Sequence, residues 1–151
     1  MSAMAESPTF DVQQQTDRLD IVLSSSMDLI DRADSVVKHV MKDHGLGRLG
    51  FAVRVVMREG LTNAVRHGHH HDPAKLIHFH LAFGKDRLTM VIEDQGDGFD
   101  WKTAMTRATL ENSDGTLRDH GRGFLIMDEY FDSWTYNEKG NVLTLVKNLS
   151  S

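Results

Sequence analysis

The sequence predicts a two-layer α+β domain in which a mixed, mostly antiparallel sheet is covered by helices on one face. Three observations lead there. "KLIHFHLAF" (75–83) alternates apolar and polar residues strictly, and "RLTMVIED" (87–94) alternates again after a short "GKD" turn. Between residues 26 and 66 the apolar residues recur at helical spacing instead. The resulting order is strand, two helices, hairpin, helix, hairpin, which is not the regular alternation of a doubly wound parallel sheet.

Each element has its own local reason. Residues 1–15 lack the basic and apolar blocks of a signal peptide and are expected to be a loose N-terminus, with the domain over 16–151. "RLDIVLS" sets Leu19, Ile21 and Leu23 at period two, a strand. A helix follows, which Ser26 can cap and Gly45 can end. A second runs from about Leu49 to Arg66, with Phe51, Ala52, Val55, Val56 and Val65 as its apolar positions. In the hairpin, Ile77, Phe79, Leu81 and Phe83 share one face; Leu76, His78, His80 and Ala82 share the other. Phe99 to His120 is polar, without a firm period, and is expected to be mobile. "GRGFLIMDEYF" restarts a helix, and "DSWTYNEKGNVLTLVKNL" closes with a hairpin turned near Glu138 to Gly140.

Composition narrows the class. A chain of 151 residues with 40% hydrophobic and 26% charged residues is one soluble domain with a proper core. Lys and Arg number 17 against 22 Asp and Glu, a net charge of −5, so no direct nucleic-acid partner is expected. No apolar run approaches the roughly 18 residues of a membrane span, so no membrane partner is expected either. Cysteine is absent, which fits a reducing, cytoplasmic compartment. "GLGRLG" (45–50) spells the dinucleotide fingerprint, but it follows a helix rather than leaving a strand, and reads as a helix end and an interhelical turn.

The chemistry lies further on. In "REGLTNAVRHG", Glu59, Asn63 and His67 are spaced by four and share one helix stripe. Taken alone that stripe reads as a solvated polar face, since burying it would need a partner for each group. Asp94 continues the parity of Leu88, Met90 and Ile92, so it points towards the core and needs a hydrogen-bonding partner, protein or ligand. Gly96 and Gly98 follow in "QGDGF", freeing the backbone for close approach. "HGRGF" places Gly121 and Gly123 at a helix start, where N–H groups suit phosphate oxygens, with Arg122 to help.

Those three pieces, in that order, resemble the GHKL ATPase/kinase superfamily: "EGLTNAVRHG" its N-box, "EDQGDGF" and "HGRGF" its two glycine boxes. The wording "E-x-x-T-N-A-x-x-H" with "G-R-G" most resembles the bacterial anti-sigma factor serine-protein kinases, over about Asp17 to Leu149. The resemblance implies the Bergerat ATP-binding fold, with ATP and Mg²⁺ as cofactors. It implies Asn63 as the Mg²⁺ ligand, Glu59 as general base, and Asp94 as acceptor for the adenine amino group. Gly96, Gly98, Phe99 and His67 would shape the nucleotide site. Gly121, Arg122, Gly123 and Phe124 would meet the phosphates at the end of a lid over about 100–120. The family's last strand often carries a Thr near the adenine-binding Asp; here Val142 stands at that register with Thr144 two residues on, which leaves the second polar contact open.

The implied function is a serine/threonine-protein kinase that acts as an anti-sigma factor. Its implied partners are an anti-anti-sigma antagonist, phosphorylated on a serine, and a sigma factor; a homodimer is compatible. Two alternatives stand beside it: a non-catalytic ATP-binding module that sequesters its partner, and a stray histidine-kinase catalytic domain. The run "RHGHHHD" (66–72) then divides. His67 belongs to the N-box, while His69, His70 and His71 read as a polar connection before Pro73, with a zinc site that adds Asp72, His78 and His80 as the lesser reading.

Overall fold

The structure is a computed structural model that describes residues 7–98, 100 and 119–149, and the side chains of all of these except 119–123. The strands are β1 (Phe10–Gln15), β2 (Arg18–Ser24), β3 (Leu76–Phe83), β4 (Arg87–Asp94), β5 (Ser133–Tyr136) and β6 (Val142–Asn148). The helices are α1 (Met27–Asp43), α2 (Gly50–Asn63) and α3 (Asp119–Tyr130). The strands form one sheet in the order β1-β2-β3-β4-β6-β5. All its described pairings are antiparallel, so the parallel component of the expected mixed sheet is not found among them.

The strand alternation works as the sequence predicts. Leu19, Ile21 and Leu23 of β2, Ile77, Phe79 and Leu81 of β3, and Leu88 and Met90 of β4 are fully buried on one face. From α1, Ile30, Ala33, Val37 and Met41 cover that face; from α2, Val53, Val56, Met57 and Leu61 do. Each large aliphatic side chain buried this way stabilises the fold by about 1.5–3 kcal/mol before entropy is counted. Of the apolar positions expected for the second helix, Val56 and Val65 are buried and Ala52 and Val55 half-buried, whereas Phe51 is 63% exposed; Val53 and Met57 complete the inward face. Exposed ion pairs such as Arg58–Asp31 at 2.8 Å link α1 to α2 but add little.

Two local features follow from backbone freedom and from edge position. Helix α1 ends in a left-handed residue, Gly45, at φ 72°. The Leu46 N–H donates to the Met41 carbonyl at 2.8 Å and the Gly45 N–H to that of Lys42 at 3.0 Å, a Schellman closure that a side chain at Gly45 would strain. The "GLGRLG" stretch is therefore an interhelical turn, as its context requires. The second feature is a correction. Residues 10–15, expected to be loose, pair with β2 from Phe10↔Leu23 to Gln15↔Arg18. As an edge strand with five exposed residues after Phe10, "FDVQQQ" has no buried face to write a period into the sequence. Phe10 itself is held under the Arg32 guanidinium, 4.2 Å from its ring centre.

Candidate functional site

The site forms where the C-terminal ends of α2 and β4 meet. After Asn63 the helix widens into a π turn over Ala64–Gly68, closed by the His69 N–H donating to the Ala64 carbonyl at 2.8 Å. Such single wide turns recur at functional sites because they re-aim the residues that follow. Here the turn leaves Glu59 and Asn63 half-buried, His67 exposed, and Gly68 and His69 buried. The stripe predicted to carry Glu59, Asn63 and His67 together therefore breaks after Asn63.

Asp94 ends β4 on the inward parity, 8% exposed, opposite Ile77 of β3. Its Oδ1 accepts the Gly96 N–H at 2.8 Å. Burial pushes its carboxyl above the usual carboxylate range, and the Gly96 bond and the charges of Lys139 and Lys75 pull it partly back. Gly96 and Gly98 have backbone against them where a Cβ would go, and a Cβ on Gly68 would displace the Asp94 carboxyl. A Cβ on Gly68 would stand 2.6 Å from the Asp94 carboxyl, and one on Gly96 would stand 2.1 Å from the Gly68 carbonyl oxygen. Gly98 combines φ 88° with the Lys139 carbonyl, 1.6 Å from where its Cβ would lie. The turn is pinned from three sides. Gln95 accepts the Leu76 N–H at 2.8 Å through Oε1, and donates its own N–H to His69 Nε2 at 2.7 Å. Asn141 accepts the Asp94 N–H at 2.9 Å.

Gly60, Asn63, Ala64, Ile92, Asp94, Tyr136 and Leu143 enclose a small cavity of about 10 Å³, room for about one water. Tyr136, on β5, hydrogen-bonds the Asn63 side chain. Burial pushes its phenol well above its ordinary 10.0, and the negative charges of Asp94 and Glu59 add to that, so it stays a neutral hydroxyl. Val142 and Thr144 pair with Glu93 and Val91 and lie on the opposite face from Asp94, whose side of the sheet carries Leu143 instead. Neither supplies the open polar contact. Tyr136 lines the same small cavity as Asp94.

Gly121, Arg122 and Gly123 fall within the opening turns of α3. Phe124 is buried and stacks on Trp134 with ring centres 5.3 Å apart. Phe99 and residues 101–118 of the expected lid lie outside the described residues. No group of three or more His, Asp or Glu converges on one point among the described residues, so the zinc reading of the histidine run gains nothing there. His69 is the correction within that run: expected as loop, it is 2% exposed and bonded to the turn after Asp94. Tyr136, Gly60, Gly68 and His69 are the residues that sequence reasoning missed. Only Gly68, directly after the N-box His67, carried a local signal. A larger groove of about 580 Å³ lies on the helix-free face, lined by residues such as Phe10, Arg18, Asp20 and His80, and holds none of the predicted site residues.

The residues present fit an adenine nucleotide and a hard cation. A buried carboxylate with one backbone N–H bond keeps acceptor capacity for an amino group. An amide oxygen beside a carboxylate one turn away suits Mg²⁺, which keeps most of its waters and needs few protein ligands. The chain belongs to the histidine kinase-like ATPase domain family, whose model matches residues 23–147. Among individual relatives it is similar to the anti-sigma F factor of Clostridium perfringens, 26% identical over 102 residues, covering 66% of this chain and 72% of the relative. It is also similar to the serine-protein kinase RsbW of Staphylococcus aureus, 27% identical over 99 residues, covering 62% of each. No helix among the described residues is long and apolar enough to cross a membrane.

Proposed function

We infer that the chain is an ATP- and Mg²⁺-dependent serine/threonine-protein kinase that works as an anti-sigma factor, phosphorylating a serine of an antagonist protein. One observation carries the reading: Asn63 of α2 shares a small cavity with the buried Asp94 at the end of β4, and Glu59 stands one helical turn before Asn63. Asp94 would accept the adenine amino group and set the nucleotide's position. Asn63 would hold the ion, which when bound neutralises charge on the phosphates. Glu59 would orient the attacking serine hydroxyl and take its proton as the γ-phosphoryl passes to that oxygen and ADP leaves. Little else is asked of the protein, because phosphoryl transfer depends chiefly on positioning and charge neutralisation. The names of the two relatives support a sigma factor as partner and a protein serine as acceptor; the antagonist as the bearer of that serine is part of the proposal.

A second reading, an ATP-sensing module that sequesters its partner without transfer, is favoured by one contact, the Tyr136 hydroxyl engaging the Asn63 amide. Glu59→Gln separates the two. In a kinase it keeps ATP affinity, measured by calorimetry, and lowers label transfer from γ-labelled ATP to co-purified antagonist by about 10²- to 10⁴-fold. A wild type that binds a protein in an ATP-dependent way yet labels none would sink the kinase and leave the module.

A further inference from the structure

We propose that His69 is a positioning residue for nucleotide binding: its neutral imidazole accepts the Gln95 N–H and holds the turn from Asp94 to Gly98 in the shape that receives adenine. This role rests on the ATP-site reading above and deepens it. The bond joins two backbone segments that already touch. On one side, the His69 N–H closes the π turn on the Ala64 carbonyl at 2.8 Å, and Gly68 lies against the Asp94 carboxyl. On the other, the Gln95 N–H meets His69 Nε2 at 2.7 Å, one residue after Asp94. The imidazole thus clamps the end of α2 to the residue that follows the adenine-binding carboxylate.

Only one protonation state can do this. An Nε2 that accepts a hydrogen bond leaves the ring proton on Nδ1. That nitrogen is buried with no hydrogen-bond partner among the described residues. A second proton would place a donor at Nε2 against the Gln95 N–H, and a charge inside a residue that is 2% exposed. Burial accordingly holds His69 below its ordinary 6.5; Lys75 adds to this and Asp72 opposes it, both from the connection into β3. From the sheet side the charged groups at the turn are the Asp94 carboxyl and, acting on it, Lys139 and Glu93. The sign follows from the downward shift. The neutral clamp is full above 6.5 and is lost as pH falls through the lowered native value.

The test uses the full chain, titrated calorimetrically with ATP and Mg²⁺ between about pH 8 and pH 5, the range in which histidines change charge. His69→Gln keeps an acceptor oxygen near Nε2 but cannot take a proton; His69→Phe keeps bulk and removes the acceptor. At the upper pH, His69→Gln should bind within a few-fold of wild type. His69→Phe should bind about tenfold more weakly or worse, because a buried N–H is left unmade. On acidification His69→Gln should lose less affinity than wild type, keeping the limbs that Asp94 and the titrating nucleotide phosphate supply. Ring ¹⁵N spectra of the wild type provide a readout that needs no variant to fold: the Nδ1–H tautomer, titrating below 6.5, is expected. An Nε2–H tautomer, titration at or above that value, or wild-type affinity in His69→Phe would overturn the role while leaving the ATP site standing. A wild type with no affinity for adenine nucleotide at the upper pH would overturn the ATP-site reading itself, and this role with it.

Discussion

Two regions of the sheet, the β2–β3 pair and the C-terminal end of β4, are built on different terms. Where β2 and β3 lie under α1, every inward side chain is apolar, with Leu19, Ile21 and Leu23 beside Ile77, Phe79 and Leu81, all fully buried. At the β4 end the same inward parity closes on a carboxylate, Asp94, and the contacts are made by bare backbone. Gly60 lies against Ile92, Gly68 against Asp94, and Gly96 against the Gly68 carbonyl. The first region is held by apolar area, which is non-directional and tolerates small changes of shape. The second is held by directional bonds and approaches that leave no room for a Cβ. Breaking local rules in one region, beside a conventional core in the other, is the usual mark of a functional site.

The contrast can be broken most heavily from the core side. Phe79→Ala should cost about 3–5 kcal/mol, seen as a lowered urea midpoint, with the ATP affinity of the folded fraction unchanged. A matching fall in affinity would show the two regions to be one mechanical unit.

From the site side, Asp94→Asn should weaken ATP binding by about ten- to a hundredfold, the range of one charged hydrogen bond. It should leave the thermal midpoint level or raise it. The reason is the direction of the shift: with its native value above 3.8, the carboxyl contributes stability that is full in acid and lost as pH rises through the raised value. An uncharged Asn escapes that loss at neutral pH. A clear drop in midpoint would mean that the buried charge is structural.

Tyr136→Phe makes a finer cut, removing the hydroxyl that bonds Asn63. About 0.5–1.5 kcal/mol of stability should go with it. With the amide released, the Mg²⁺-dependent part of the ATP affinity should rise by about two- to tenfold, and titrations with and without Mg²⁺ would show it. An equal change in both titrations would place Tyr136 against the base rather than beside the ion's ligand. The smallest effect belongs to the surface: Arg58→Ala, which removes the 2.8 Å pair with Asp31, should cost under about 1 kcal/mol and less still at high salt.

Periodic features were legible from the residues alone. Alternation over 76–83 and 87–94 was enough to call both strands, their buried faces, and the inward place of Asp94, because side-chain direction in a strand has period two whatever the strand pairs with. The helical spacing of Glu59 and Asn63 was legible for the same reason, and Gly45 declared a helix end through its own backbone freedom. Other features depend on which segments meet. No periodicity in "FDVQQQ" says that it pairs with β2, since an edge strand exposed on both sides has no pattern to write. The π turn after Asn63 moves His67 out to solvent and His69 into the interior, a rotation that an ideal helical count cannot contain. Tyr136 reaches Asn63 only because β5 lies beyond β6 at the sheet's far edge. Local periodicity is written in neighbouring residues, whereas a hydrogen bond between Tyr136 and Asn63, or between His69 and Gln95, exists only once the chain between them has been folded back.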